Sequence, residues 1–292
     1  RDDVESRGLG DVYKRQKKLF LILQPKKRWN MKRDKSFIVK HDFLFNSRIF
    51  VQIMKNMRNI VDAIIEIVNA PQYRLKEYAE SHNRANQMGA ALEEYVKDLF
   101  AGTVNETDLN KRNQKISESF CYLGNQNNPP DSMLKNGGVA IEVKKIESPN
   151  SALALNSSYP KAKLYSDCEM INRACRFCEP WEVRDMLYVV GVLNGEVLTS
   201  LAFVYGDEYC ADKEIYERIK KKLKEGILSI PNVEFADTKE LGRVNRVDPL
   251  GITSLRIRGM WQIDNPFVVF NYLYRRDSAV SYTHLRAHET RR

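Results

Sequence analysis

The 292-residue sequence is short of long apolar runs. Its most hydrophobic early stretch, residues 19–23, is far below the roughly 20 residues needed to span a bilayer. Lys26, Lys27 and Arg28 follow it where a secreted protein would place a small-residue cleavage site. The run is too short for a membrane-spanning helix and makes a poor secretory signal, and no membrane partner is expected. Histidine is scarce, with four in the chain, and three of them (His41, His284, His288) lie near the ends. Chemistry built on a histidine base is therefore a poor fit. No phosphate-binding P-loop or dinucleotide fingerprint occurs, so neither ATP-driven nor hydride-transfer activity is implied. Five irregularly spaced cysteines do not make a disulfide framework and point to a reducing, cytoplasmic compartment. Cys175 and Cys178 form one C-x-x-C, but structural zinc usually takes four ligands in two close pairs. Buried thiols are expected instead.

What is present is core material: 43% hydrophobic residues with 29% charged, enough for one large domain. The net charge of +9 invites a nucleic-acid reading. Its location weakens that argument. Residues 17–56 alone carry +9, residues 1–16 balance, residues 277–292 carry +1, and residues 57–276 carry −1. Overall basicity therefore says little about what the body of the chain binds. Residues 3–16 and 279–292 resemble translated sequencing-adapter read-through. Residues 1–56 are expected to be a non-native or disordered basic leader, with the start at Met54 or Met57, and 277–292 a non-native tail. A basic nucleic-acid-binding arm is the rival reading of 17–56. One domain is expected over 57–276.

Within it, Ile60, Val61, Ile64, Ile65, Ile67 and Val68 form an apolar helix face that stops near Asn69 and Pro71. Met88, Ala91, Leu92, Tyr95, Val96, Leu99 and Phe100 recur at three- and four-residue steps and predict a second helix over 85–100. Glu93 and Glu94 then follow the buried Leu92, and at least one lies at the edge of its stripe. Residues 101–130 are polar and read as a long loop. Strands are predicted over 132–135, 139–145, 186–193 and 197–205, the last two flanking the turn pair Asn194-Gly195. A charged helix is expected over 212–225, ending at Gly226, and short strands over 233–263. The order of elements suggests an α/β fold with a mixed central β-sheet flanked by helices.

The chemistry concentrates in Pro130-Asp131 and Glu142-Val143-Lys144. Asn136-Gly137 between them is the preferred centre of a two-residue hairpin turn. With that turn, Asp131 sits directly across from Glu142 on one face, with Cβ atoms roughly 5 Å apart. Two carboxylates so placed repel each other, and a divalent cation between them converts the repulsion into binding. Lys144 shares that face, while Val139, Ile141 and Val143 point into a core. A three-residue loop would shift the register and break the alignment. Two carboxylates and an ammonium suit metal-assisted phosphodiester hydrolysis, with Lys144 beside the attacking water or the phosphate and Glu93 positioning the lysine or a water. A surface hairpin carrying a scattered Asp, Glu and Lys is the bland alternative.

At these residues the chain resembles the PD-(D/E)xK nuclease superfamily, with Gly89-Ala-Ala-Leu92-Glu93 similar to the helix that supplies its additional glutamate. Residues 155–165 and 240–266 narrow the resemblance to NgoPII-type type II restriction endonucleases, over roughly residues 57–276. The resemblance implies a restriction-endonuclease-like core at about 85–205 and a DNA-recognition part at about 233–266. It implies Mg²⁺ held by Asp131, Glu142 and the Val143 carbonyl, and cleavage of double-stranded DNA at GGCC to leave 5′-phosphates. It further implies a homodimer in a prokaryotic cytoplasm, with a cognate methyltransferase modifying the same site.

Arg243, Arg246, Arg256 and Arg258 are candidates for guanine readout, since arginine pairs with guanine O6 and N7. Surface pairing with Asp248 or Asp264 is the alternative. Asn245 and Gln262 are weaker readout candidates. Lys161, Lys163, Ser157 and Ser158 are candidate phosphate contacts. A structure-specific repair or junction nuclease of the same fold, and a non-catalytic DNA-binding protein, remain as rival functions.

Overall fold

A computed structural model describes residues 19–23, 58–75, 84–125, 128–156, 158–238, 240–273 and 280–284. Helix α1 (Ile60–Asn69) starts where the Asn59 side chain accepts the Val61 amide and Asp62 accepts the Asn59 amide in return. Helix α2 (Arg84–Ala101) carries the predicted apolar residues, and all seven from Met88 to Phe100 are buried. The polar stretch expected to be a loop instead holds helix α3 (Leu109–Ser119), capped by Asp108, and strand β2 (Phe120–Asn125). The reason α3 escaped a periodicity argument is physical. It buries only Ile116 and Ser119, and ion pairs tie it to α2: Arg112 bonds Asp98 and Glu94.

The main sheet takes β1 (Leu19–Leu23), β2, β3 (Asn128–Leu134), β4 (Ala140–Ile146), β7 (Val183–Asn194), β8 (Val197–Tyr205) and β13 (Val280–His284), in the order β13-β1-β8-β7-β4-β3-β2. A short strand, β6 (Lys163–Tyr165), also pairs with β7. β4 and β7 run parallel, whereas β3–β4 and β7–β8 are antiparallel, so the sheet is mixed. On one face α2 packs through Leu92 and Leu99 over Ile141, Val143, Leu187, Val189 and Phe203. The other face is covered as well, with Met133, Ala140, Met186, Tyr188 and Val190 meeting Leu153, Leu164 and Cys175. Burial on both faces explains why β7 reads as an unbroken apolar run rather than an alternation.

The hairpin between β7 and β8 forms as expected, but Asn194 pairs with Val197, which leaves Gly195-Glu196 at its centre. Gly195 there adopts a φ of 62°, open to glycine at little cost. A bulge at Val192/Leu193 accommodates the one-residue shift.

Helix α4 (Lys213–Leu228) runs through Gly226 rather than stopping there. Beyond it, β9 (Glu234–Phe235), β10 (Gly242–Asn245) and β11 (Leu255–Ile257) form a three-stranded sheet. β5 (Leu153–Asn156) pairs separately with β12 (Met260–Ile263). Tyr159 stacks on Tyr216 of α4, and both meet Trp261 of β12 edge-on, which fastens α4 to the β5–β12 ribbon. Among the described residues no helix is long and apolar enough to cross a membrane.

Candidate active site

The site is built on the β3–β4 hairpin. Asn136 and Gly137 take φ of 56° and 79°, the two positive values a type I′ turn requires. The Glu179 carboxylate accepts both of their amides, at 3.2 and 3.0 Å, and is itself paired with Arg184. Arg184 also donates to the Gly138 carbonyl at 2.7 Å. The resulting register pairs Met133 with Ala140 and Ser132 with Ile141. One step further sets Asp131 across from Glu142, the alignment read from the turn.

Three polar side chains cluster there. The Asp131 Oδ2 accepts the Val143 amide at 2.6 Å, and Lys144 Nζ donates to Glu142 Oε1 at 2.6 Å. The second oxygen of Glu142, Oε2, is buried without a hydrogen-bond partner among the described residues. Burial, reinforced by the neighbouring Glu142, pushes the Asp131 carboxyl well above the usual carboxylate range, against the pull of Lys144. Burial alone would lower the Lys144 ammonium, but Glu142 and Asp131 outweigh it and hold the group above the ordinary lysine value. Glu93 reaches the same electrostatic environment from α2. Burial raises its carboxyl, with Lys97 and Lys144 partly opposing. Its neighbour Glu94 turns away to Arg112 and Lys97, so of the two glutamates Glu93 is the one left to face the hairpin.

Two features of this site were not read from the sequence. Gly124 of β2 lies so close to β3 that a Cβ there would come within 2.4 Å of the Pro130 carbonyl oxygen. Tyr188 of β7 is the register partner of Glu142, and its hydroxyl accepts the Lys161 amide at 2.7 Å. Neither carries a sequence motif, because both depend on strands that meet only in the folded sheet.

The candidate DNA contacts fall into two groups. Arg243 is exposed on β10, and its register partner on β11 is Arg256. Arg256 and Arg258 both bond Glu240, and Arg246 faces Glu234 at 3.6 Å, so Asp248 and Asp264 are not their partners. Asp248 instead accepts the amides of Leu250, Ile252 and Thr253. Asn245 is half-buried and Gln262 exposed. In the second group, Lys163 pairs with Asp185 at 2.9 Å. Lys161 is buried, bonded to Ser158 Oγ and to the Tyr159 carbonyl, with its ammonium 5.0 Å from the Tyr159 ring centre. Burial lowers its basicity. Ser157 lies outside the described residues. The five cysteines are free thiols, with Cys175 fully buried.

A mixed sheet with helices on its faces and an Asp, Glu and Lys grouped on a central hairpin define a restriction-endonuclease-like α/β protein. Residues 58–287 match the model of the NgoPII restriction endonuclease family, so the match runs beyond residue 276, where the resemblance in the sequence ended. A curated relative, the type II restriction enzyme NgoPII of Neisseria gonorrhoeae, is 56% identical over 227 residues, covering 77% of this chain and 80% of that protein. The chain belongs to the NgoPII restriction endonuclease family, and is accordingly a type II, site-specific deoxyribonuclease. No solved structure matches it.

That identity implies a divalent metal. Among the described residues no three His, Cys, Asp or Glu side chains converge on one point. Asp131, Glu142 with its orphaned Oε2, and backbone carbonyls are nonetheless hard oxygen donors. They suit a cation that keeps several waters of its own.

Proposed function

We propose that the enzyme cleaves both strands of double-stranded DNA at GGCC with Mg²⁺ as cofactor, leaving 5′-phosphates. The observation that carries the catalytic assignment is the buried Glu142 Oε2, without a partner among the described residues, opposite Asp131 and next to Lys144. Asp131, Glu142 and the Val143 carbonyl would hold the cation. When bound, it neutralises charge on the phosphate and acidifies a neighbouring water. Lys144, kept charged by two carboxylates, orients the attacking water or stabilises negative charge on the phosphate oxygens. Glu93 positions the lysine or a water from the α2 side. Water attacks phosphorus in line, the P–O3′ bond breaks, and the 3′-oxygen leaves.

Recognition belongs to residues 233–266 and catalysis to 85–205, within one domain. Arg243, Arg246, Arg256 and Arg258, with Asn245, meet base edges or backbone. Lys161, Lys163, Ser157 and Ser158 serve the phosphate side, Lys161 and Ser158 as a bonded unit rather than as free surface groups. A palindromic target is matched by a two-fold homodimer with one site per strand. A cognate methyltransferase protects the same sequence in a prokaryotic cytoplasm without forming a complex with the nuclease.

The test is digestion of unmethylated plasmid by the full chain with Mg²⁺, with and without EDTA, and with Asp131→Ala as control. Discrete fragments ending at GGCC, absent with EDTA and in the control, are expected. Fragments ending at another sequence overturn the target. Cutting that survives Asp131→Ala overturns the site.

A further inference from the structure

Glu240 lies just before β10, and its carboxylate grips two arginines at once. Arg256 donates through Nε to Oε2 at 3.1 Å and through Nη2 to Oε1 at 2.8 Å. Arg258 donates through Nε to the same Oε1 at 2.6 Å. Sharing one carboxylate places the two arginines on one face of the β10–β11 ladder. Arg243 stands across the ladder from Arg256. Like charges directly opposed on a sheet repel, and the one carboxylate that bonds Arg256 and Arg258 offsets part of that repulsion. The carboxylate is mostly shielded, at 16% exposure, while Arg256 and Arg258 remain 55% and 56% exposed.

The direction of the grip matters. Glu240 approaches Arg256 from the side, through Nε and Nη2, and Arg258 through Nε alone. It leaves unblocked the outer edge of each fork, Nη1 with Nη2, which is the edge that can donate two parallel bonds to guanine O6 and N7. A fork held before binding loses less side-chain freedom when DNA arrives. The same negative charge also offsets the attraction of the arginines for any phosphate, whatever the sequence.

We infer that Glu240 is a positioning residue for sequence recognition. It orients Arg256 and Arg258 with their outer edges toward the DNA and suppresses their binding to non-cognate backbone. The inference rests on the reading that these two arginines contact base edges.

The experiment uses the full chain as wild type, Glu240→Gln, Glu240→Asp, Arg256→Ala and Arg258→Ala. Plasmid DNA is digested and the ends sequenced. Cuts at the site preferred by the wild type are then compared with cuts at sites one base pair different. Binding to a random duplex in EDTA is followed against salt, and melting temperature is recorded. Glu240→Gln should raise the relative off-site cutting about tenfold. It should also bind the random duplex more tightly, with a steeper salt dependence, and melt as the wild type does. Glu240→Asp, which keeps the charge, should recover part of the discrimination. If Arg256→Ala and Arg258→Ala lose discrimination while Glu240→Gln keeps it, the role given to Glu240 is overturned and the arginine reading stands. If neither arginine variant changes discrimination, the arginine reading falls and takes the inference with it. Equal loss of cutting at all sites with a lowered melting temperature would make Glu240 a structural residue only.

Discussion

The Asp131 carboxylate takes the Val143 amide at 2.6 Å, a bond that the backbone of β3 would otherwise make. The hairpin pairs Leu134 with Val139 and Ser132 with Ile141, and the next amide in that series is Val143. Its diversion to a side chain ends the ladder where the carboxylates begin. Asp131 thus shapes the strand as well as the site.

Asp131→Ala should therefore cost more than activity. It leaves the Val143 amide without its acceptor, a loss of about 1–3 kcal/mol for a buried donor, partly offset by relief of the repulsion from Glu142. Asp131→Asn keeps an acceptor and removes the charge. Both variants should fail to cut, and urea unfolding should find Asp131→Asn the more stable. Equal stability would show that the side-chain bond contributes nothing to the fold.

Lys144→Ala removes the ammonium that pairs with Glu142 at 2.6 Å. If Lys144 stabilises charge on the phosphate, cleavage should fall on the order of 10²–10³-fold while specific DNA binding survives. Single-turnover kinetics alongside a gel-shift titration separates the two. Cleavage within a few-fold of wild type would remove Lys144 from the chemistry.

Gly124→Ala probes the packing behind the site. The added Cβ would meet the Pro130 oxygen at 2.4 Å and the Asp131 oxygen at 2.9 Å, and both are backbone atoms that cannot swing aside. β3 must shift, and with it Asp131. A displacement of that kind can cost on the order of 10²-fold in rate, with DNA affinity little changed. A variant as active as wild type would mean that the strand tolerates the shift.

Glu94 supplies a pH-dependent contribution to stability. Burial would raise its carboxyl, but hydrogen bonds from Arg112 and Lys97 outweigh that and hold it below the ordinary value of 4.5. A lowered folded-state value means that the stabilisation is present above the unfolded value and is lost as pH falls through the folded one. Glu94→Gln should thus be destabilised at pH 7 by about 1–2 kcal/mol, and the gap should close as pH drops below 4.5. Urea titrations at neutral and acid pH decide it, and a gap of equal size at both would refute the ion-pair account.

What could be read from the sequence was what the backbone decides locally. Asn136-Gly137 tolerates the left-handed turn that most residues resist, and the turn sets the register that opposes Asp131 and Glu142. The apolar steps along α2 marked its buried face, since a helix must cover that stripe. α3 gave no such signal because charged contacts with α2 hold it.

The rest was settled by segments far apart in the chain. The parallel pairing of β4 with β7 sets Tyr188 beside Glu142, and the fold buries Lys161, a candidate phosphate contact, with its amide on the Tyr188 hydroxyl. Of two adjacent glutamates, only the approach of α3 determines that Glu94 is engaged by Arg112 and Glu93 is left to the site. Four arginines were visible as a cluster, but the grip of Glu240 on Arg256 and Arg258, and the edges these two present, depend on how β10 and β11 lie together. Turn and helix preferences act through neighbouring residues and are written in order along the chain. Burial and ion pairing act through space, and only the folded chain determines which groups share it.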